Sequence, residues 1–292
     1  MPITTALVTG AAGLLGRATA IALADAGVEV HALVRSKQQS FRDDIVFHEV
    51  DLSLPLETSA MPERIDAVFH LAQAREFRDF PASAPTVFAI NVASTAFLLD
   101  FAHRAGATSF VYASSGGVYA GAPDSALTEE SALQSPAGLG YYLATKLSSE
   151  ALVHSYSGLF ATTALRYFFI YGAGQSRSML IPRLYDRVRN GEALSLQGAN
   201  GMSINPVHVS DAAAATIAAA DLEGASTINV AGPETISLRG LGELFGRDLR
   251  REPLFDQSGG AATDLIASIT RMSDLLVAPT ITPGDALDDI RE

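Results

Sequence analysis

The chain encodes an α/β protein: a doubly wound parallel sheet with a smaller C-terminal lobe. Short apolar runs at residues 6–8, 29–34, 67–72 and 109–113 alternate with helix-length segments, the order that pairs strands in parallel and lays helices on both faces. A glycine-punctuated turn carries the first of these strands straight into an alanine-rich helix. At 292 residues, 48% of them hydrophobic and 18% charged, the chain has room for one large core and a second smaller one.

That turn reads Val8-Thr9-Gly10-Ala11-Ala12-Gly13-Leu14-Leu15-Gly16. Gly10 permits a tight turn, Gly13 lets backbone approach a pyrophosphate, and Gly16 lets the helix pack close on the strand. Phosphates would sit on the helix N-terminus, where unpaired N–H groups and the positive dipole end meet an anion. The stretch therefore reads as a dinucleotide cradle. The helix spans 13–26, Gly27 closes it, and the strand 29–34 completes a βαβ unit. An acidic residue at the end of that strand would bind ribose hydroxyls and disfavour a 2′-phosphate, but the chain has Val34-Arg35-Ser36-Lys37. NADP is the expected cofactor, with NAD still open; the alternative is that Arg35 and Lys37 are solvated loop charges.

A third strand, 45–49, leads to Asp51-Leu52, where the acid either reaches an adenine amino group or caps a helix. The run 67–72 is a buried strand ending in a small-residue turn, with His70 a structural residue, and 76–85 is a loop over the site. Residues 88–105 form a helix with Asn91 near its start and apolar residues almost all round. The strand 109–113 runs into Ser114-Ser115-Gly116-Gly117 at the sheet edge where ligands bind in open α/β folds. Ser135-Pro136, Gly138 and Gly140 break the chain before a helix carrying Tyr142-x-x-x-Lys146, two residues on one face a turn apart. A sixth strand, 162–167, a helix at 177–190, a short strand at 194–196, a helix at 211–220 and a last strand at 227–230 follow. The expected division is 1–174 plus 205–232 for the nucleotide-binding domain and 175–204 plus 233–292 for the substrate lobe.

Composition excludes several classes. There is no cysteine, and the six histidines show no paired metal-ligand spacing, so disulfides, thiolate chemistry and a metal centre are not expected. A net charge of −12 without a basic run repels nucleic acid. No apolar run has the length and uniformity of a membrane span, and no leader-like segment precedes the first strand, so a cytoplasmic protein acting on a small molecule is expected.

Taken together, these motifs resemble the extended short-chain dehydrogenase/reductase family, the NAD-dependent epimerase/dehydratase group. The resemblance rests on Thr9-Gly10-x-x-Gly13-x-x-Gly16, Asp51-Leu52, His70-Leu71-Ala72, Asn91, Ser114-Ser115 with Val118-Tyr119, Tyr142-x-x-x-Lys146 with Glu150, Leu165-Arg166 with Tyr171-Gly172, and Val207-His208-Val209-x-Asp211. It implies a Rossmann sheet that binds NAD(P). The cradle residues Gly10, Gly13, Leu14, Leu15 and Gly16 would hold the cofactor, with Arg35, Asp51 and Leu52 toward the adenosine. Leu71, Ala72, Asn91, Ala113, Phe168 and Phe169 would line it, and Tyr142 and Lys146 would touch its nicotinamide end. Tyr142 is then the general acid or base, Lys146 lowers the pKa of its phenol, and Ser115 orients the substrate oxygen.

Departures from the family pattern narrow the chemistry. Gly116 and Gly117 stand where dehydratases carry Asp-Glu, so elimination is disfavoured. Neither the arginine before the Val-His-Val-x-Asp stretch nor the one in an Arg-x-Gly-Asp motif near the C-terminus has a match, so a nucleotide diphosphate loses bidentate partners. Phe169 replaces a common asparagine and makes the pocket more apolar. The first expectation is an NADP-preferring oxidoreductase interconverting a secondary alcohol and a ketone on a small or sugar-like substrate. The alternative is a sugar or sugar-nucleotide epimerase with tightly held NAD(P); a non-catalytic NAD(P)-sensing regulator is a third reading, which would not need Ser115, Tyr142 and Lys146 together. The loops 76–85, 175–204 and 253–275 are expected to line the substrate. The surplus apolar positions of helix 88–105 point to a homodimer formed with helix 141–157.

Overall fold

The computed structural model describes residues 3–36, 39–120, 126–260 and 262–292. Lys37, half of the expected basic pair, lies outside them. Seven strands form one sheet in the order β3-β2-β1-β4-β5-β6-β9. They are β1 (Thr5–Thr9), β2 (Glu29–Val34), β3 (Val46–Glu49), β4 (Ala67–His70), β5 (Ser109–Ser115), β6 (Ala161–Tyr167) and β9 (Ala225–Val230). Strand order reverses between β1 and β4, which both pair in parallel with their neighbours, Ala6 opposite Val30 on one side and Ala67 on the other. Such a switch point leaves a crevice at the carboxyl ends of the central strands. The two central strands β1 and β4 are mainly apolar because both faces are covered: Ala6, Leu7, Val8, Ala67, Val68 and Phe69 are all fully buried.

Helix α1 (Leu14–Asp25) starts at Gly13, which offers no side-chain cap. The helix read from the sequence as 88–105 starts earlier. It comprises α2 (Ala84–Phe88), a π-helical turn (Ala89–Ala93) and α3 (Ser94–Arg104), so part of the expected loop 76–85 is helical. Pro85 sits in its first turn, where a missing N–H costs nothing, and extends the helix N-terminally. Contrary to the sequence expectation, this 21-residue stretch, Ala84–Arg104, is long and apolar enough to cross a membrane by length and composition. Its apolar stripe is instead spent on the sheet, where Leu98, Leu99, Phe101 and Ala102 join Leu7, Val68 and Phe110 in one cluster. The opposite face keeps Phe88, Ala93 and Ala96 exposed.

Strand β5 runs on to Ser115, so Ser114 and Ser115 belong to the strand itself. Helix α4 (Pro136–Ser155) begins before Gly140, whose φ of 66° and ψ of 167° break its first turns. Only glycine takes that conformation readily, and the break resets the helix just ahead of Tyr142.

The chain divides into two compact units. The first holds residues 1–118, 134–166 and 213–228, and the second 119–133, 167–212 and 229–292. The partition differs from the one read off the sequence: 119–133, 167–174, 205–212 and 229–232 group with the C-terminal part. The bridge between Leu127 and Ala267, Tyr171 Oη donating to Ile281 O at 3.3 Å and Asn205 Nδ2 donating to Ala267 O at 2.9 Å tie three of these segments there. The second unit has its own core, built on α5 (Leu180–Asn190), β7 (Leu194–Gln197), β8 (Ser203–Ile204), β10 (Ile236–Ser237), α7 (Leu238–Leu249) and β11 (Phe255–Ser258), with α6 (Val209–Ala218) at its boundary and α8 (Thr270–Leu275) beyond it. The short terminal helix α9 (Leu287–Arg291) is tied down by Arg177 Nη1 to Ile290 O at 2.7 Å and His208 Nε2 to Asp289 Oδ2 at 2.8 Å.

Candidate active site

The cradle is shaped by contacts that exclude side chains. A Cβ on Gly10, where φ is +68°, would stand 2.8 Å from Ala72 N, and one on Gly16 would stand 2.2 Å from Gly10 O. The first glycine lets β1 meet the end of β4, and the last lets α1 descend onto the turn. Gly13 and Ala12 are exposed, no acid lies in the first turn of α1, and the N–H groups of that turn have no intrahelical partners. An exposed, uncapped, anion-seeking helix start beside backbone that tolerates no Cβ fits a dinucleotide pyrophosphate.

Beneath the cradle runs a buried polar chain. Thr9 Oγ1 meets His70 Nδ1 at 2.8 Å, and His70 Nε2 meets Thr95 Oγ1 at 2.9 Å. Thr95 Oγ1 spends its hydrogen on Asn91 O at 2.6 Å, so Nε2 of His70 is the donor to Thr95 and Nδ1 accepts from Thr9. Thr9 Oγ1 in turn accepts from the N–H groups of Leu71 and Ala72, each at 3.1 Å. Burial pulls the imidazole down to about 3, helped by the Lys146 charge. His70 is therefore a neutral structural residue, as expected, that pins Leu71 and Ala72 beside Gly10.

Asn91 ties two elements of the sheet domain together. Its Oδ1 accepts from Ala74 N at 3.2 Å and its Nδ2 donates to Thr145 Oγ1 at 2.9 Å, which leaves it 1% exposed. It joins the segment after β4 to α4. Its carbonyl accepts from Ser149 Oγ as well as from Thr95, at 2.7 Å and 2.6 Å, both falling on the π-helical turn.

The catalytic candidates converge on the start of α4. Lys146 Nζ is buried and donates to the carbonyl of Ala113, one of the residues expected to line the cofactor, at 2.8 Å. Burial pulls the ammonium down to about 7, while Glu150 opposes the shift. Glu150 is clamped by Arg166 through Nε at 3.0 Å and Nη2 at 2.7 Å, and Ser114 Oγ donates to the same carboxylate. Ser115 Oγ accepts from Gly117 N at 3.2 Å. A Cβ on Gly117 would stand 3.2 Å from the Leu143 side chain, so the small residue lets the turn after Ser115 lie against α4 next to Tyr142.

Tyr142 departs from the expected electrostatics. Its phenol donates to Gln73 Oε1 at 2.9 Å, and Phe77 packs on its ring with centroids 4.7 Å apart. Burial pushes the phenol above its ordinary range, whereas the sequence expectation had Lys146 drawing it down. The lysine nitrogen lies 5.9 Å from the Tyr142 ring centroid and is already committed to Ala113. In this arrangement Tyr142 is a proton donor. Sequence reasoning missed Gln73; the one available signal was a polar residue directly after an apolar strand at the carboxyl edge of the sheet.

The remaining expected residues sort by surroundings. Leu14 is half-buried at the first position of α1, while Leu15 and Leu52, each 9% exposed, pack in the core. Asp51 accepts from Ser53 N at 2.9 Å and Ser53 Oγ at 2.7 Å. These bonds, with a smaller contribution from Arg35, hold its carboxyl below the usual range. Arg35 itself is exposed at the end of β2. Phe168 is a packing residue: its ring stacks on Tyr119 with centroids 6.2 Å apart, and its N–H and carbonyl pair with Val230 and Val207. Phe169 takes a φ of 47° and packs against the core of the second unit.

The comparisons with known proteins agree with this architecture. A family model described as the NAD dependent epimerase/dehydratase family matches residues 6–231. The chain belongs to that family, and is an enzyme of the extended short-chain dehydrogenase type. A 3beta-hydroxysteroid dehydrogenase/Delta(5)-Delta(4) isomerase of Caenorhabditis elegans is 34% identical over 117 residues, which is 39% of this chain and 25% of that protein. An uncharacterized UDP-glucose epimerase of Bacillus subtilis (strain 168), YtcB, is 27% identical over 232 residues, 76% of this chain and 72% of the relative. The solved structure of MoeE5 in complex with UDP-glucose and NAD is similar with a TM-score of 0.82 at 26% identity, covering 98% of this chain and 97% of that one. The matched stretch thus spans only a quarter of the steroid enzyme's length.

Proposed function

We propose that this protein is an NAD(P)-dependent epimerase of a sugar or sugar nucleotide, inverting one carbinol centre through a transient ketone without net oxidation. The single observation that carries the reading is Tyr142 beside buried Lys146, with Ser115 at the edge of β5 followed by Gly116 and Gly117 instead of a carboxylate pair. That set handles a hydroxyl/carbonyl pair and lacks the acid and base that elimination of water requires. Relatives bearing epimerase names move this reading ahead of the net oxidoreductase first expected from the sequence.

NAD(P) supplies a hydride acceptor and donor when bound. The chain's own residues do the rest. Tyr142 Oη takes or returns the hydroxyl proton at the reacting carbon, Ser115 Oγ holds the same oxygen, and Lys146 places a positive charge near the phenol. The preference for NADP remains part of the proposal, resting on Arg35 at the end of β2 with no acid at Val34 or Ser36. The missing arginines leave a free sugar as well as a UDP-sugar in play, since a diphosphate must find its donors elsewhere.

The test is epimer formation followed by proton NMR, with purified protein, UDP-glucose or free aldoses, and no added cofactor. Conversion without cofactor consumption supports the epimerase. In a parallel assay with added NADPH and ketones or keto-sugars, oxidation of NADPH in proportion to product, with no epimer formed in the first assay, supports the reductase instead.

A further inference from the structure

Gln73 is the residue that meets the phenolic oxygen of Tyr142, at 2.9 Å, and it is held there from both sides. On one side Ala72 N is bonded to Thr9 Oγ1 at 3.1 Å, and on the other Ala74 N is bonded to Asn91 Oδ1 at 3.2 Å. The backbone carrying the amide is thus preorganised by the same polar chain that builds the cradle. Four residues on, Phe77 closes over the Tyr142 ring, and Phe80 stacks on Tyr141 with centroids 5.1 Å apart. The segment after β4 therefore grips both tyrosines.

We propose that Gln73 is a positioning residue for Tyr142, whose side-chain carbonyl keeps the phenol in its proton-donating form until a substrate oxygen replaces it. The inference deepens the functional reading above and rests on it only for Tyr142 as acid and base. A phenol has one hydrogen to give. While it goes to Gln73 Oε1, the protonated form is favoured, because a phenolate would face the lone pairs of the amide oxygen. Once the substrate oxygen takes the hydrogen, Gln73 is released and its influence ends. The charged and titratable groups on the elements packed against Tyr142 are few. Lys146 lies on its own helix, Tyr112 on β5, and Arg75, Glu76, Arg78 and Asp79 on the segment of Gln73, these four all exposed. The strand-end turn supplies only Gly116 and Gly117.

This makes a specific split. The pH profile of kcat/KM reports groups of the free enzyme and that of kcat those of the substrate complex. With NAD present, in the direction that starts from the alcohol, Gln73→Ala should move the acid limb of kcat/KM down by about half to one pH unit and leave the kcat limb in place. Gln73→Glu should move the kcat/KM limb up, by placing a like charge beside the phenolate. Superimposable kcat/KM limbs in wild type and Gln73→Ala overturn the proposal, whatever happens to the rates. A second measurement needs no substrate: carbon NMR of protein labelled at the tyrosine Cζ, loaded with NAD, with the Tyr142 signal assigned from Tyr142→Phe. Its titration should move down in Gln73→Ala and up in Gln73→Glu, and an unchanged titration overturns the proposal independently. If Tyr142→Phe keeps its turnover, the functional reading fails while the NMR result still decides Gln73.

Discussion

The buried polar chain under the cradle and the corner around Tyr142 and Lys146 on α4 both rest on side-chain hydrogen bonds and behave oppositely. From Thr9 through His70, Thr95 and Asn91 to Thr145, hydrogens and acceptors are matched along the chain, and the histidine stays neutral. At the corner, the buried Lys146 ammonium donates to Ala113 O and the half-buried Tyr142 phenol donates to the exposed Gln73 amide oxygen. A matched network rigidifies; a group with an exchangeable partner can move a proton. The contrast separates what holds the site from what works in it, and substitutions should respect the division.

The largest effect is expected from Tyr142→Phe. Removing the proton donor should cut turnover by about a hundred- to ten-thousand-fold, with NAD binding retained because the cradle glycines are untouched; calorimetry and steady-state kinetics on one preparation check both halves. Near-wild-type turnover would erase the distinction between the two regions.

The opposite pattern is expected for His70→Phe, which leaves Thr9 and Thr95 facing an apolar ring. Unfolding should become easier by about 1–3 kcal/mol, the cost of stranded buried polar groups, as read by urea denaturation. The difference should also depend on pH. The folded chain protonates His70 only near 3, whereas its ordinary value is 6.5. Between those values the unfolded chain therefore binds more protons, and wild-type stability falls as pH drops from about 6.5 toward 3. His70→Phe lacks this contribution, so the gap between the two proteins should narrow across that window. A constant gap would mean that His70 is not neutral in the folded chain.

A smaller change is expected at the rim of the cradle. Arg35→Ala should weaken NADP binding about tenfold and leave NAD binding nearly unchanged, since a guanidinium pairs with a 2′-phosphate that NAD lacks. Fluorescence titration with both cofactors decides it, and equal losses for the two would reduce Arg35 to a surface charge.

The smallest effect on activity attaches to the proposed homodimer. Leu98 and Leu99 are fully buried within the chain, so they report on the core. Ala93 and Ala96 are exposed, so Ala93→Glu should dissociate a dimer while leaving the monomer folded. Light scattering with circular dichroism tests this, and a wild-type monomer at high concentration would remove the proposal.

Much of this molecule follows from local chemistry. Glycine spacing, strand apolarity and the Tyr142–Lys146 interval are short-range properties, which is why the glycine turn, β2 with its exact bounds, and the helix carrying Tyr142 and Lys146 were legible in the sequence. The family's motifs also brought Glu150 and Arg166 into view, though not their mutual clamp. Other features depend on residues far apart in the chain. Gln73 reaches Tyr142 across 69 positions, and Asn91 reaches Thr145 across 54; no periodicity encodes such a pairing. The early start of α2, the apolar stripe of α3 spent on the sheet, and the grouping of 119–133 with the C-terminal part depend likewise on packing partners. Residue type thus determined which chemistry the chain carries. Tertiary structure alone decided which donor faces which acceptor, and with it the protonation state in which Tyr142 and His70 are held, because burial and partner geometry exist only once the strands are assembled.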